Sequence, residues 1–134
     1  MRTENFHVDE DIKKAETLPA RFYRCDEVFE LLKDRVFKRS FQWFGSINDL
    51  LPHESYVKPL LFVEGYLEEP FFIRKDAKLG LTCFSNVCTH RGNLIFHHEG
   101  VSKRIACGYH GRTWTTDGAF KFMPEFKDVE DFPR

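Results

Sequence analysis

The chain has 134 residues, which is the usual size of one domain, and 42% of them are hydrophobic. Folding at this length hides roughly two-thirds of the unfolded chain's surface, so a core can form without disulfide bonds. Twenty basic residues against 21 acidic ones give a net charge of −1, which offers no electrostatic footprint for nucleic acid. The sequence shows no secretory signal and no apolar run long enough to cross a membrane. We therefore expect a cytoplasmic globular domain with no nucleic-acid or membrane partner.

Residues 1–40 are predicted to form a helical extension. Asp26 is a residue type that caps helices, and apolar residues recur after it at helical spacing. This pattern predicts one amphipathic helix from residue 27 to about residue 40. A weaker helix is expected over residues 9–16, and Pro19 then interrupts the segment.

Residues 41–134 are predicted to form a mainly β domain, an antiparallel sandwich or small barrel. Short apolar segments bounded by turn residues predict eight strands, at 41–45, 56–63, 70–74, 79–86, 93–97, 103–106, 112–115 and 119–122. Turns are expected at Asp76, at Glu99-Gly100 and at Asp117-Gly118, the last of which fits a tight hairpin. The 15 phenylalanines are expected to fill the core of this fold.

Two short segments carry the residues with the clearest chemistry. Cys88 and His90 form a C-x-H motif, and after sixteen residues Cys107 and His110 form a C-x-x-H motif. If the intervening segment is a hairpin that turns at Glu99-Gly100, two thiolates and two imidazoles converge. A glycine follows each histidine closely, which lets the loops curl around a ligand and point amide groups inward.

Three interpretations of these four residues compete. Disulfide bonds are disfavoured because cytosolic thiols stay reduced. Zinc accepts two Cys and two His, but its usual spacing places both cysteines in one knuckle and both histidines on a helix. A Rieske [2Fe–2S] centre takes two Cys on one iron and two His on the other, which suits two mixed loops. We therefore favour a [2Fe–2S] cluster and keep zinc as the alternative.

The chain resembles the Rieske domain of ring-hydroxylating, non-haem iron oxygenases, specifically of their large subunit. The resemblance rests on residues 88–93 and 107–114 with Asp117-Gly118 after them, and it extends upstream over residues 18–43. One position departs from the family, since many members have Trp directly after the second His-Gly. Here Arg112 occupies that position, and Trp114 follows two residues later.

The resemblance implies a ligand set for a Rieske cluster. Cys88 and Cys107 would hold one iron, and His90 and His110 the iron nearer the surface. The residues implied to support the cluster loops are Arg91, Gly92, Tyr109, Gly111 and Trp114. High-potential respiratory Rieske proteins differ, because they add a disulfide between the loops and a serine after the second His-Gly. Neither feature is present here, which predicts a lower potential.

The resemblance also implies how the domain is used. Family oxygenases continue into a catalytic domain whose mononuclear iron is held by two histidines and a carboxylate. We expect no catalytic residues in this chain, since adjacent His97, His98 and Glu99 at a hairpin tip cannot all face one metal. A reductase or ferredoxin would supply electrons, and a catalytic iron domain of the same or a neighbouring subunit would receive them. The alternatives are a free-standing Rieske ferredoxin, which the 40-residue extension disfavours, and a zinc module for protein contacts.

Overall fold

The computed structural model describes residues 6–126 and 128–132, which fall into two compact units. The first unit ends at Phe41 and the second begins at Gln42. No helix in this described part of the chain is long and apolar enough to span a membrane.

The first unit is built around helix α1, which covers Asp26–Arg35. The predicted helix is confirmed in place but is wrong in length, because its expected last turn is instead a 3₁₀ turn at Phe37–Arg39. Cys25 holds the N-cap position, but its side chain accepts no hydrogen bond from the helix amides, and Asp26 is the first helical residue. Acidic residues in the first turn and basic ones in the last complement the helix dipole.

The helix predicted over residues 9–16 is wrong. The segment makes a single turn, in which the amide groups of Lys14 and Ala15 donate to the carbonyl of Asp11. The carboxylates of Asp9 and Asp11 accept hydrogen bonds from backbone amides two residues further on. Such local side-chain bonds compete with helical ones, which explains why the turn does not continue.

The second unit contains two antiparallel sheets, as expected from the sequence. One sheet has four strands in the order β3-β2-β1-β4, and the other has three in the order β5-β6-β7. Their bounds are Tyr56–Phe62 (β1), Glu69–Asp76 (β2), Gly80–Ser85 (β3), Gly100–Val101 (β4), Ile105–Ala106 (β5), Thr113–Trp114 (β6) and Phe120–Phe122 (β7).

Two predicted strands are absent from the described structure. Residues 41–45 are irregular and lead into a short helix, α2, at Ile47–Leu50. Ser46 caps this helix, since its hydroxyl accepts from the Asp49 amide and donates to the Asp49 carboxylate. Residues 93–97 form a loop in which only Leu94 makes an isolated bridge, to Val87.

The hairpin predicted to turn at Glu99-Gly100 is also wrong. Gly100–Val101 instead form β4 and pair with the start of β1. The Glu99 carboxylate forms an ion pair with Lys58 of β1, which holds this stretch against the first sheet. The chain then crosses directly to β5, so residues 102–104 connect the two sheets.

The core joins the two sheets and includes both motif cysteines. Its buried members are Val57, Phe72, Ile95, Ile105, Cys88 and Cys107, with Phe84, Phe96 and Trp114 packed against them. The ring of Phe72 meets that of Phe96 edge-on, with ring centres 4.8 Å apart. The segments that carry the cysteines are therefore anchored in the hydrophobic core.

The predicted turn at Asp117-Gly118 is confirmed, and it generates a test of the fold. Gly118 has φ +90°, and a Cβ there would lie 2.6 Å from Cε1 of Phe84, whose ring packs on buried Phe72. We expect Gly118→Ala to lower the free energy of unfolding by about 1–3 kcal/mol, because the added methyl overpacks the core. Urea unfolding of the purified chain measures this loss.

Gly65→Ala is the matched control. Gly65 has φ +74°, and nothing lies within 4 Å of a Cβ built there. The control places an alanine at a positive φ but creates no steric clash. Equal decreases in the free energy of unfolding in the two variants would therefore contradict a close contact between residue 118 and Phe84.

Candidate metal centre

The first cluster loop follows β3 and is closed at its base by Asn86. The Asn86 side chain is 2% exposed; its amide donates to the Phe96 carbonyl at 2.8 Å, and its oxygen accepts from the Phe96 amide at 2.9 Å. The Asn86 backbone amide donates to the carbonyl of Pro70 in β2 at 2.9 Å. Both ends of the loop are thus tied together and to the sheet. Asn86 was not predicted from the sequence, in which its signal is a polar residue directly after an apolar strand.

Within this loop the backbone folds around Cys88. The Cys88 amide donates to the Asn93 carbonyl at 2.8 Å, and the Gly92 amide donates to the Cys88 carbonyl at 2.9 Å. Gly92 has φ +70°, a left-handed conformation that glycine adopts without strain. The backbone conformation of the loop therefore favours glycine at this position of the motif.

The second loop, between β5 and β6, repeats the same closure. The Cys107 amide donates to the Arg112 carbonyl at 2.8 Å, and the Gly111 amide donates to the Cys107 carbonyl at 3.0 Å. Gly111 has φ +73°, and a Cβ there would lie 2.9 Å from Cγ of Pro124. Each loop therefore presents its cysteine and histidine on the same backbone turn.

These loops bring the four predicted ligands together in two pairs. Cys88 and Cys107 are each 3% exposed and lie in the same core cluster, where each thiol affects the pKa of the other. His90 is half-buried and His110 is exposed, with ring centres 4.8 Å apart at an angle of 75°. The thiol pair lies in the core, and the imidazole pair lies nearer the surface.

Backbone amides stabilise negative charge on both sulfurs. In each loop the N–H groups two and three residues after the cysteine point at its sulfur, and the Asn93 side-chain amide lies 3.6 Å from the sulfur of Cys107. Burial raises the pKa of the Cys88 thiol. Burial also acts on Cys107, but there the N–H donors and the Cys88 thiol outweigh it and lower the pKa. Thiolates, the form that binds metals, are favoured by such donors.

The electrostatic surroundings of His90 favour its neutral form. Partial desolvation lowers the pKa of His90, and the positive charges of His110, Arg91 and Arg112 lower it further. A neutral imidazole has the free nitrogen lone pair that a metal ligand needs.

The predicted supporting residues take different places around the four ligands. Arg91 is exposed, and Tyr109 is 60% exposed with its ring 3.8 Å from that of His110. Trp114 is half-buried and packs against the core. Phe126, which the sequence analysis missed, lies with its ring centre 6.3 Å from that of His90. This contact connects the first loop to the segment after Pro124. The two are far apart in the sequence, so no local pattern predicts the contact.

The other cysteines lie apart from this centre. All four cysteines are free of disulfide bonds. Cys25 is half-buried and donates to the Glu27 carboxylate at 3.1 Å. Cys83 lies in edge strand β3, on the face of the strand whose side chains are exposed.

The donor set fits a two-iron cluster. A buried thiol pair with amide donors and a more exposed imidazole pair match the division of ligands in a Rieske centre. Among residues 6–126 and 128–132, no three His, Cys, Asp or Glu side chains are grouped to hold one ion. His97, His98 and Glu99 are all exposed.

Comparisons with known proteins agree with this geometry. Residues 50–133 match the Rieske [2Fe-2S] domain family. The oxygenase subunit of carnitine monooxygenase from Escherichia coli K12 is 32% identical over 121 residues, which cover 90% of this chain and 31% of that protein. The alpha subunit of benzene 1,2-dioxygenase from Pseudomonas putida is 31% identical over 115 residues, which cover 84% of this chain and 24% of that protein.

A solved structure shows the same fold. It is that of a quaternary ammonium Rieske monooxygenase, described for carnitine oxidation by gut microbiota and for inter-subunit electron transfer. It superposes with a TM-score of 0.73 at 28% identity, over 88% of this chain and 31% of that one. The chain thus spans between about a quarter and a third of the length of these relatives.

The chain belongs to the Rieske [2Fe-2S] domain family, and the cofactor of that family is a Rieske-type [2Fe–2S] cluster. Within the family it is homologous to oxygenase alpha subunits, in which the domain binds the cluster and transfers electrons. The prediction of a Rieske domain of oxygenase type is confirmed, and the zinc-module and free-ferredoxin alternatives are set aside.

The base of the first loop generates a second prediction. Asn86→Ala would leave the part-buried amide and carbonyl of Phe96 without these partners, which costs about 1–3 kcal/mol. We expect a free energy of unfolding lower by that amount and a smaller fraction of chains that hold a cluster. Denaturant unfolding and the visible absorbance per chain measure the two effects.

Asn48→Ala is the control, because Asn48 is exposed on α2. It removes the same side chain without opening the loop. An Asn86 variant as stable as this control would show that the base of the loop does not depend on the Asn86 bonds.

Proposed function

We propose that Cys88 and Cys107 bind one iron of the cluster and that His90 and His110 bind the other. The observation that supports this most directly is the pairing of two buried thiols beneath two neighbouring imidazoles. Arg91, Gly92, Tyr109, Gly111 and Trp114 are proposed to shape the two loops that hold these ligands.

The residues of each pair have separate tasks in this arrangement. When bound, the cluster accepts and releases one electron at a time. The amides that point at the sulfurs of Cys88 and Cys107 stabilise their thiolate charge inside the core. The His110 ring is exposed, so a partner protein can approach the site from the imidazole side.

We further propose that the chain is the electron-transfer domain of a Rieske oxygenase, with residues 1–40 as an extension and residues 41–134 as the cluster domain. The relatives are oxygenase subunits, and they match through the N-terminal extension as well as the loops. A reductase or ferredoxin would donate the electron. A mononuclear iron domain, of the same or a neighbouring subunit, would accept it, in keeping with the inter-subunit transfer described for the similar monooxygenase.

The four free cysteines support a reducing compartment, and we propose the cytoplasm as the location of this chain.

The ligand assignment predicts the metal content of the purified chain. We expect a red-brown protein with two irons and two acid-labile sulfides per chain, because the ligand set divides into a thiol pair and an imidazole pair. Elemental analysis and a sulfide assay measure both quantities. One zinc and no labile sulfide would contradict the assignment.

Cysteine substitutions test the same assignment residue by residue. Cys107→Ser is expected to abolish the visible spectrum and expose apolar surface, because the second loop loses a ligand in the core. The double variant of Cys25→Ala and Cys83→Ala removes the two cysteines that lie outside the site and should keep the spectrum unchanged. Loss of colour in the double variant would mean that the thiol ligands are misassigned.

A further inference from the structure

Arg112 is the position at which this chain departs from many family members, and its surroundings are unusual. Three aromatic rings enclose its guanidinium. The guanidinium carbon lies 5.0 Å from the ring centre of Phe120, 5.5 Å from that of Phe132 and 5.9 Å from that of Trp114. Within the described residues Nε is buried and has no hydrogen-bond partner. Attraction to the ring faces is therefore the main compensation for the loss of water at this edge of the guanidinium.

The aromatic cage continues to the imidazole pair. Phe132 packs on Phe126, with ring centres 4.6 Å apart, and Phe126 in turn contacts the ring of His90. Phe132 also meets Phe120 of β7 edge-on at 5.5 Å. A continuous line of rings thus runs from Arg112 to His90 and passes through the segment that follows Pro124.

The Arg112 backbone is equally close to the site. Its carbonyl accepts the bond from the Cys107 amide that closes the second loop. The main chain of Arg112 therefore closes the second loop. Its side chain contacts Phe132, from which the line of rings leads to His90. A cation held there by its rings is less screened than a cation on an exposed side chain.

We propose that Arg112 is a positioning residue that holds Phe132, and through it Phe126, beside the imidazole pair and that its caged charge favours the reduced form of the bound cluster. The inference rests on the proposed ligand assignment. Nearby charge and exclusion of water are among the factors that set the potential of an iron–sulfur centre. A fixed positive charge stabilises the state that carries one more electron.

Three variants of the cluster-loaded chain separate the effect of the Arg112 charge on the potential from its effect on the position of Phe126 and Phe132. Arg112→Met removes the charge, Arg112→Lys keeps a cation but loses the planar guanidinium, and Phe132→Leu keeps the charge but removes one wall of the cage. The first readout is the midpoint potential by spectroelectrochemical titration. The second is the amide hydrogen-exchange rate of residues 126–132, measured by mass spectrometry.

For Arg112→Met we expect the ratio of reduced to oxidised cluster at a fixed solution potential to fall about tenfold, or about 59 mV for one electron. Arg112→Lys should restore most of this ratio. Phe132→Leu should raise the exchange rate of residues 126–132 several-fold with a smaller change in potential. Lys121→Gln is the control for general charge loss, since Lys121 is exposed on β7 beside Phe120, and it should change neither readout.

The outcomes distinguish this inference from the proposed function. A wild-type chain without two irons and two sulfides would overturn the ligand assignment and this inference with it. A loaded Arg112→Met chain with the wild-type potential, or one whose shift equals that of Lys121→Gln, would overturn the inference alone. Unchanged hydrogen exchange in both Arg112→Met and Phe132→Leu would contradict the positioning role of Arg112.

Discussion

Cys88 and Cys107 belong to the hydrophobic core and are also the thiols proposed to bind iron, and the fold of the second unit must satisfy both roles. Each sulfur is almost completely shielded from water, yet under the proposed ligand assignment it would carry negative charge. A buried charge is tolerated only if donors compensate for the lost water. The backbone amides that follow each cysteine in its loop supply that compensation.

The loops are anchored at both ends. Asn86 closes the base of the first loop, and the short strands β5 and β6 hold the second. The two loops use the same pair of backbone bonds around their cysteines, so the ligands are prepared for the metal before it binds. Such preorganisation suits an electron-transfer site, in which the ligands should move little when the charge changes.

The same anchoring separates the two pairs of ligands by depth. The thiols face the core built from β1, β2 and β5, whereas His110 and part of His90 face solvent. The proposed electron donor or acceptor would therefore meet imidazole edges and the exposed ring of Tyr109. The aromatic segment around Phe126 and Phe132 covers one side of this approach and ties it to Arg112.

The sequence alone determined the chemistry of the site and much of the first sheet. The C-x-H and C-x-x-H motifs indicated the ligands, because which residue types can bind iron is a property of the side chains themselves. Strands β1, β2 and β3 and the Asp117-Gly118 turn were also predictable, since alternation and turn residues act over a few neighbouring positions. Ser46 and Asp49 carried a local capping signal for α2 that the sequence analysis overlooked.

Only the tertiary structure decided the features that join distant residues. Gly100–Val101 became a strand because β1 offered an open edge, and residues 93–97 became a loop because Asn86 holds Phe96 at its base. The cage around Arg112 combines β6, β7 and the C-terminal segment, whose proximity no local pattern encodes. These outcomes depend on packing between segments far apart in the chain, and packing is settled only when the whole core forms.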